Sequence, residues 1–134
     1  MEIRQLTESE CEQIWELVKE IKLPYSLEIA RRILRETAFW ASRGAVFAVF
    51  ENSVPMGFVA VQRQETLRGA EAFIWLARCR HGSASILLME RIENWCRSMN
   101  LNRLSTQYLG KRLKGLHRRW GLTPQSTYCV KKLW

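Results

Sequence analysis

The stretch Ala77-Arg78-Cys79-Arg80-His81-Gly82-Ser83-Ala84-Ser85-Ile86-Leu87-Leu88 holds the densest set of chemically useful groups in this chain of 134 residues. Gly82 and Ala84 have little or no side chain, so backbone N–H groups there can come close to a ligand. A helix opening on this segment points its free N–H groups and the positive end of its dipole at one spot. That favours a pyrophosphate. Ser83 and Ser85 add hydroxyl donors, and Arg78, Arg80 and His81 add positive charge or donors beside them. An ordinary strand-to-helix turn is the competing reading of so short a pattern.

The charge of the chain is uneven. Residues 1–51 hold nine Glu against seven Lys and Arg, a net of −2, whereas residues 52–134 hold four Glu against fourteen Lys and Arg, a net of +10. Five of these basic residues, Lys111, Arg112, Lys114, Arg118 and Arg119, crowd one short segment. Such a half implies an anionic partner: a nucleotide-like cofactor, nucleic acid or an acidic protein. The cysteines Cys11, Cys79, Cys96 and Cys129 form no C-x-x-C pair and no zinc-type spacing. They read as buried reduced thiols, and no metal is expected. No apolar run approaches the ~20 residues of a membrane span. The start MEIRQLTESE lacks the basic and apolar parts of a signal peptide. The expectation is a soluble, cytoplasmic protein with no membrane partner, folded as one domain over residues 1–134.

The elements that would position the segment follow from periodicity. Residues 2–6 read as a strand. Thr7-Glu8-Ser9-Glu10 reads as a capping box opening a helix with Cys11, Ile14, Trp15, Val18 and Ile21 on its apolar face. Leu23-Pro24-Tyr25 breaks that helix, and Ser26 caps a second one, with Ile29, Ile33 and Leu34 inward and Gly44 as a stop. Residues 45–50 and 54–61 form a hairpin across Glu51-Asn52-Ser53, and residues 70–77 add a third strand. Gly82 opens a long helix with Ile86, Leu87, Met89, Ile92, Trp95 and Met99 at helical spacing, ending at Asn100. A strand at 101–108, a basic helix at 112–120 and a strand at 127–133 complete the chain. Trp15, Trp75 and Trp95 fall on apolar faces, while Trp40 and Trp134 read as exposed. The order is β-α-α-β-β-β-α-β-α-β. It predicts an α/β (α+β) fold with a mixed, mostly antiparallel central sheet, flanking helices and one parallel crossover.

On these residues the chain resembles the GNAT superfamily of N-acetyltransferases. That family's coenzyme A motif is Gln or Arg, two residues, Gly, one residue, then Gly or Ala, commonly followed by an apolar pair. Gly82 and Ala84 take the small positions and Leu87-Leu88 the apolar pair. Cys79 stands where the motif has Gln or Arg, a role open to Arg78 or Arg80. Trp120-Gly121-Leu122 is similar to the end of the family's penultimate helix, and residues 128–133 to its last strand.

The resemblance implies acetyl-CoA, or another acyl-CoA, held by backbone donors from Leu76 through Ala84, with Arg78, Cys79, Arg80, His81, Gly82, Ser83 and Ser85 around it. It implies direct attack by an acceptor amine on the thioester. The family's proton-donating tyrosine falls on His117, which can also donate near neutral pH. The base expected is Glu71, set among apolar neighbours such as Phe73, with Glu65 as a lesser candidate. Gly110 stands where the family often has an Asn before its penultimate helix. Tyr25 falls where the family often shapes its acceptor pocket. Two functions remain open at this point. One is an acyl-CoA-dependent N-acyltransferase acting on an amine. The other is a catalytically silent module of the same fold, binding nucleic acid or an acidic protein through its basic half.

Overall fold

A computed structural model describes residues 1–23, 25–107, 123–125 and 128–133. Strand β1 (Glu2–Gln5) leads into a 3-10 turn (Ser9–Ile14), a short helix α1 (Trp15–Lys19) and helix α2 (Leu27–Phe39). Strand β2 (Gly44–Glu51) is buried at every position but its last. A strand apolar on both sides needs cover on both faces. Ala45, Phe47 and Val49 enter one core, and Val46, Ala48 and Phe50 enter another. The sheet is therefore a wall between two cores. The 3-10 turn, α1 and α2 cover one face, and helix α3 (Gly82–Ser98) covers the other.

Strands β3 (Val54–Thr66) and β4 (Gly69–Cys79) continue an antiparallel meander from β1 and β2. The β2–β3 turn holds Asn52 and Ser53 at φ 50° and 65°, the left-handed pair a tight hairpin demands. After α3, strand β5 (Arg103–Gln107) lies parallel to β4, β7 (Tyr128–Lys132) antiparallel to β5, and β6 (Thr123–Gln125) antiparallel to β7. The seven strands run β1-β2-β3-β4-β5-β7-β6. This is the mixed, mostly antiparallel sheet with flanking helices that the sequence pattern predicts. Strand β6 is an addition to it. The basic helix expected at 112–120, with His117, lies outside the described residues, as do Gly110 and Trp134.

The helix faces differ in detail from the periodicity reading. On α3 the buried stripe is Ala84, Ser85, Leu88, Met89, Ile92, Trp95 and Cys96. It leaves Ile86 56% exposed. A stripe seated on Ser85 recurs at three and four residues, and Ile86 stands a ~100° helical step away from it. On α2 the stripe is Ala30, Leu34 and Thr37, and Ile29 is exposed. Ser26 caps α2 as expected, its Oγ accepting the Ile29 N–H at 3.3 Å. The capping box at Thr7 is half formed. Glu10 Oε1 accepts the Thr7 N–H at 2.9 Å, but the Thr7 hydroxyl turns to Ser9, and the segment starts as a 3-10 turn. Gly44 opens β2 rather than ending α2, because the end of α2 presses on the sheet there. A Cβ at Gly44 would lie 2.9 Å from Thr37 Cγ2 and 3.0 Å from the Val61 oxygen.

Candidate functional site

The site begins at a fault in β4. Opposite β3, Ala60 pairs with Leu76 and Val61 with Ile74, so Trp75 is an extra residue in the strand. Such a bulge bends its strand, increases the local twist and reverses the alternation beyond it. Ala70, Ala72 and Ile74 pack against the α3-side core, and so do Ala77 and Cys79. Trp75 and Leu76 both turn to the opposite core. Trp75 is half-buried, and its Nε1 is shielded from solvent with no hydrogen-bond partner among the described residues.

The parallel pairing of β4 with β5 stops just before this bulge. It covers residues 72–74 against 104–106. The Thr106 hydroxyl donates to the Ile74 carbonyl at 2.9 Å, closing the last rung. Beyond it, among the described residues, the backbone of 75–79 has no strand partner on that side. Backbone N–H and C=O groups need partners, so a strand edge left unpaired by the described residues is a place for an extended polar ligand. The open edge leads directly to the start of α3.

His81 is the N-cap of α3, with extended backbone at φ −142° and ψ 139°. Its carbonyl accepts from the Ala84 and Ser85 N–H groups at 3.1 and 3.3 Å. Its Nδ1 accepts the Ser83 N–H at 3.3 Å. His81, Gly82 and Ser83 are exposed, whereas Ala84 and Ser85 are fully buried. The two small residues thus serve different ends. Gly82 keeps the helix mouth open on the solvent side. Ala84 faces inward against Gly57 of β3, where an added Cβ would sit 3.3 Å from Ala84 Cβ, the Arg78 oxygen and Cys79 Sγ. The Arg80 N–H donates to the Met56 carbonyl at 2.9 Å, which pins the loop to β3.

Arg78 and Arg80 are both committed to one carboxylate. Glu20, at the end of α1, accepts Arg78 Nε on Oε2 and Arg80 Nε on Oε1, each at 2.9 Å, and a second Arg80 nitrogen also reaches it. These guanidinium groups, Arg80 first and then Arg78, hold the Glu20 carboxyl below the usual carboxylate range. Leu76 is buried at 4% exposure and offers the edge its backbone, and Cys79 packs half-buried beside α3.

Glu71 lies upstream on β4 and is only 6% exposed. Its Oε1 accepts from Gln64 Nε2 at 3.1 Å and from the Ser105 hydroxyl at 3.0 Å. Three neighbouring strands thereby fix one carboxylate. About 10 Å of strand, at ~3.3 Å per residue, separates Glu71 from the end of the β4–β5 pairing. Glu65 is on the far, exposed end of β3 and pairs with Arg63. Tyr25 packs partly buried against the α1–α2 core, and burial pushes its hydroxyl pKa up.

The structure thus gathers Leu76, Arg78, Cys79, Arg80, His81, Gly82 and Ser83 at one end of β4. It turns the Ala84 and Ser85 side chains inward and sets Glu71 apart. Sequence reading does not reach Glu20, Trp75, Gln64, Ser105 or Thr106. Glu20 is 58 and 60 residues from the arginines it holds, which no local pattern registers. Among the described residues no three His, Cys, Asp or Glu are placed to hold a metal, and no helix is long and apolar enough to cross a membrane.

A mixed sheet opening between β4 and β5, with a long helix starting at the opening, is the arrangement of the GNAT acetyltransferase fold, and comparison with solved structures agrees. The acetyltransferase of GNAT family from Streptococcus pneumoniae superposes with a TM-score of 0.71 at 12% identity, covering 99% of each chain. An aminoglycoside N-acetyltransferase in complex with CoA gives 0.77 at 14% identity, over 93% of this chain and 89% of that one. The Drosophila melanogaster polyamine N-acetyltransferase gives 0.75 at 10% identity, over 98% and 99%. In sequence, no family model matches the chain and no curated protein is significantly similar. The chain has the fold of the GNAT acetyltransferases.

Proposed function

We propose that the chain is an acyl-CoA-dependent N-acyltransferase that moves an acetyl group from acetyl-CoA to an amine. The observation that carries this reading is the edge of β4 at 75–79, which no described strand pairs on the β5 side, running into the exposed N-terminus of α3. Such an edge offers alternating backbone donors and acceptors to an amide-containing arm, and the helix mouth at Gly82 and Ser83 offers N–H groups and dipole to a diphosphate. Coenzyme A has both parts in that order. The solved relative in complex with CoA supports the same choice of ligand.

The residues would divide the work as follows. The backbone of 76–79 aligns the pantetheine arm, and Gly82 and Ser83 receive the diphosphate. The bound coenzyme supplies a thioester carbonyl open to attack by a neutral amine. A protonated amine must first lose a proton. Glu71, oriented by Gln64 and Ser105, is the acceptor for it, and the ~10 Å of separation makes water the carrier. The Glu65 alternative has no such buried, oriented setting. Holding the reactants in line supplies a large share of the rate in such transfers.

Coenzyme binding tests the reading directly. Acetyl-CoA at about 100 times its Kd should stabilise the folded chain by about 2.7 kcal/mol, seen as a clear rise in melting temperature. Absence of any shift at millimolar acetyl-CoA, together with salt-sensitive binding of a short duplex, would sink it in favour of a nucleic-acid-binding module.

A further inference from the structure

The Arg78–Glu20–Arg80 cluster is unused by the reading above, and it stands one residue before the N-cap of α3. Arg78 and Arg80 are two residues apart at the end of β4, so both side chains leave the same face, towards α1. There each Glu20 oxygen takes one arginine. The same carboxylate therefore satisfies both guanidinium groups and removes one of their two positive charges. It also ties α1 to the strand–helix junction. All three side chains keep solvent contact, at 31%, 46% and 36% exposure for Glu20, Arg78 and Arg80. The ties can thus be exchanged for another anion without burying a bare charge.

We propose that Glu20 is a specificity-determining residue for the coenzyme: it and the diphosphate of an acyl-CoA are alternative partners for Arg78 and Arg80. A diphosphate carries more charge than one carboxylate and offers more acceptor oxygens to the planar guanidinium forks. It wins the exchange, whereas a monocarboxylate ligand gains nothing over Glu20. The cost of dissolving the Glu20 ties is drawn from coenzyme affinity, and it frees the end of α1 as the coenzyme arrives. This inference rests on the coenzyme reading above.

Calorimetric Kd values for CoA and for dephospho-CoA, which keeps the diphosphate but lacks the 3′-phosphate, test it in the whole chain. Glu20→Gln should bind both ligands about two- to five-fold more tightly, the scale of an exposed ion pair. Glu16→Gln removes the same charge one turn away, where it salt-bridges Lys19 and exerts on Arg80 only a weaker pull than Glu20 does, and should change either Kd much less. The gain from Glu20→Gln should vanish in an Arg78→Gln/Arg80→Gln background, a coupling that a purely structural role for Glu20 does not produce. Equal gains from Glu16→Gln and Glu20→Gln, a gain that survives loss of both arginines, or a gain confined to CoA would each overturn the proposal. A wild-type chain that binds neither ligand would overturn the coenzyme reading and this one with it. If Glu20→Gln does not fold, Glu20→Asp, too short to reach both arginines, should still tighten both ligands, and unchanged affinity would overturn the proposal.

Discussion

Glu71 is a carboxylate shielded from solvent and forms no ion pair among the described residues. Its Oε1 is held instead by an amide from β3 and a hydroxyl from β5. These two donors fix the direction in which the carboxylate faces without neutralising its charge. Replacing it with Gln keeps the shape and an oxygen for Ser105 while removing the proton acceptor. Glu71→Gln should lower kcat by about 10²- to 10⁴-fold, the usual span of a general base, and leave the Kd for acetyl-CoA near its original value. Thiol release on any amine that the wild type acetylates measures the first, and calorimetry the second. Unchanged turnover would remove Glu71 from the mechanism. Its location on β4 was legible in the sequence, because the strand leads into the Gly82 segment. Its partners were not, since Gln64 and Ser105 reach it through strand register.

At the scale of elements, one buried contact matters most to the site, the one between β3 and α3. Gly57 and Ala84 meet there with no slack, and the contact fixes how close the helix mouth stands to the open edge of β4. A methyl at position 57 would meet three neighbours at 3.3 Å, so the helix start has to move by a few tenths of an ångström. Gly57→Ala should therefore weaken coenzyme binding by about ten-fold, as sub-ångström misplacement in a preorganised site does. Its stability cost should stay within the ~1–3 kcal/mol of overpacking. Equal coenzyme affinity in both proteins would show that α3 need not sit where it does.

The elements themselves were legible where alternation or helical spacing is strong. The hairpin, the meander strands and α3 all stand near their expected places. Helix faces were less so. Ile29 and Ile86 look like core residues by type, but the stripe is set by which small residues, Ala30 and Ala84, let a helix approach the sheet. The bulge at Trp75 was invisible, because Phe73-Ile74-Trp75-Leu76 is apolar at every position and alternation has nothing to grip.

For the molecule as a whole, pH should erode stability from two directions. Burial in the α1–α2 core pushes the Cys11 thiol up to about 11, and burial beneath α3 pushes Cys96 up to about 12, from an ordinary value of 9.0. Below pH ~9 both thiols are protonated, folded or unfolded, and contribute no pH dependence. Above it the unfolded chain loses these protons first, so stability falls as pH rises through the folded values. On the acid side, Glu12 is lowered by Arg31 and Arg35, and Glu20 by Arg80 and Arg78, from 4.5. Their contribution is complete above that value and is lost as pH drops through the lower folded values. Melting curves from pH 3 to 11 should show both limbs. Cys96→Ala should flatten the alkaline one, and added salt the acid one, since the glutamates are solvent-exposed. A Cys96→Ala protein with an unaltered alkaline limb would contradict the burial assigned to that thiol.

The extra residue at Trp75 also makes the chain's reading frame of faces depend on one position. Upstream of it even-numbered residues of β4 look towards α3, and downstream odd-numbered ones do. Excising Trp75 alone would only flatten the bulge, because Leu76 would then follow Ile74 in regular alternation and 76–79 would keep their present faces. Excising Ala77 with the bulge retained would swap inside for outside beyond it. With Ala77 gone, Arg78 would be driven into the core under α3 and Cys79 would be turned out towards α1. A deletion scan along β4 should therefore show a phase rule. Loss of one residue at the bulge leaves the order of faces intact, whereas loss of Ala77 beyond it is ruinous.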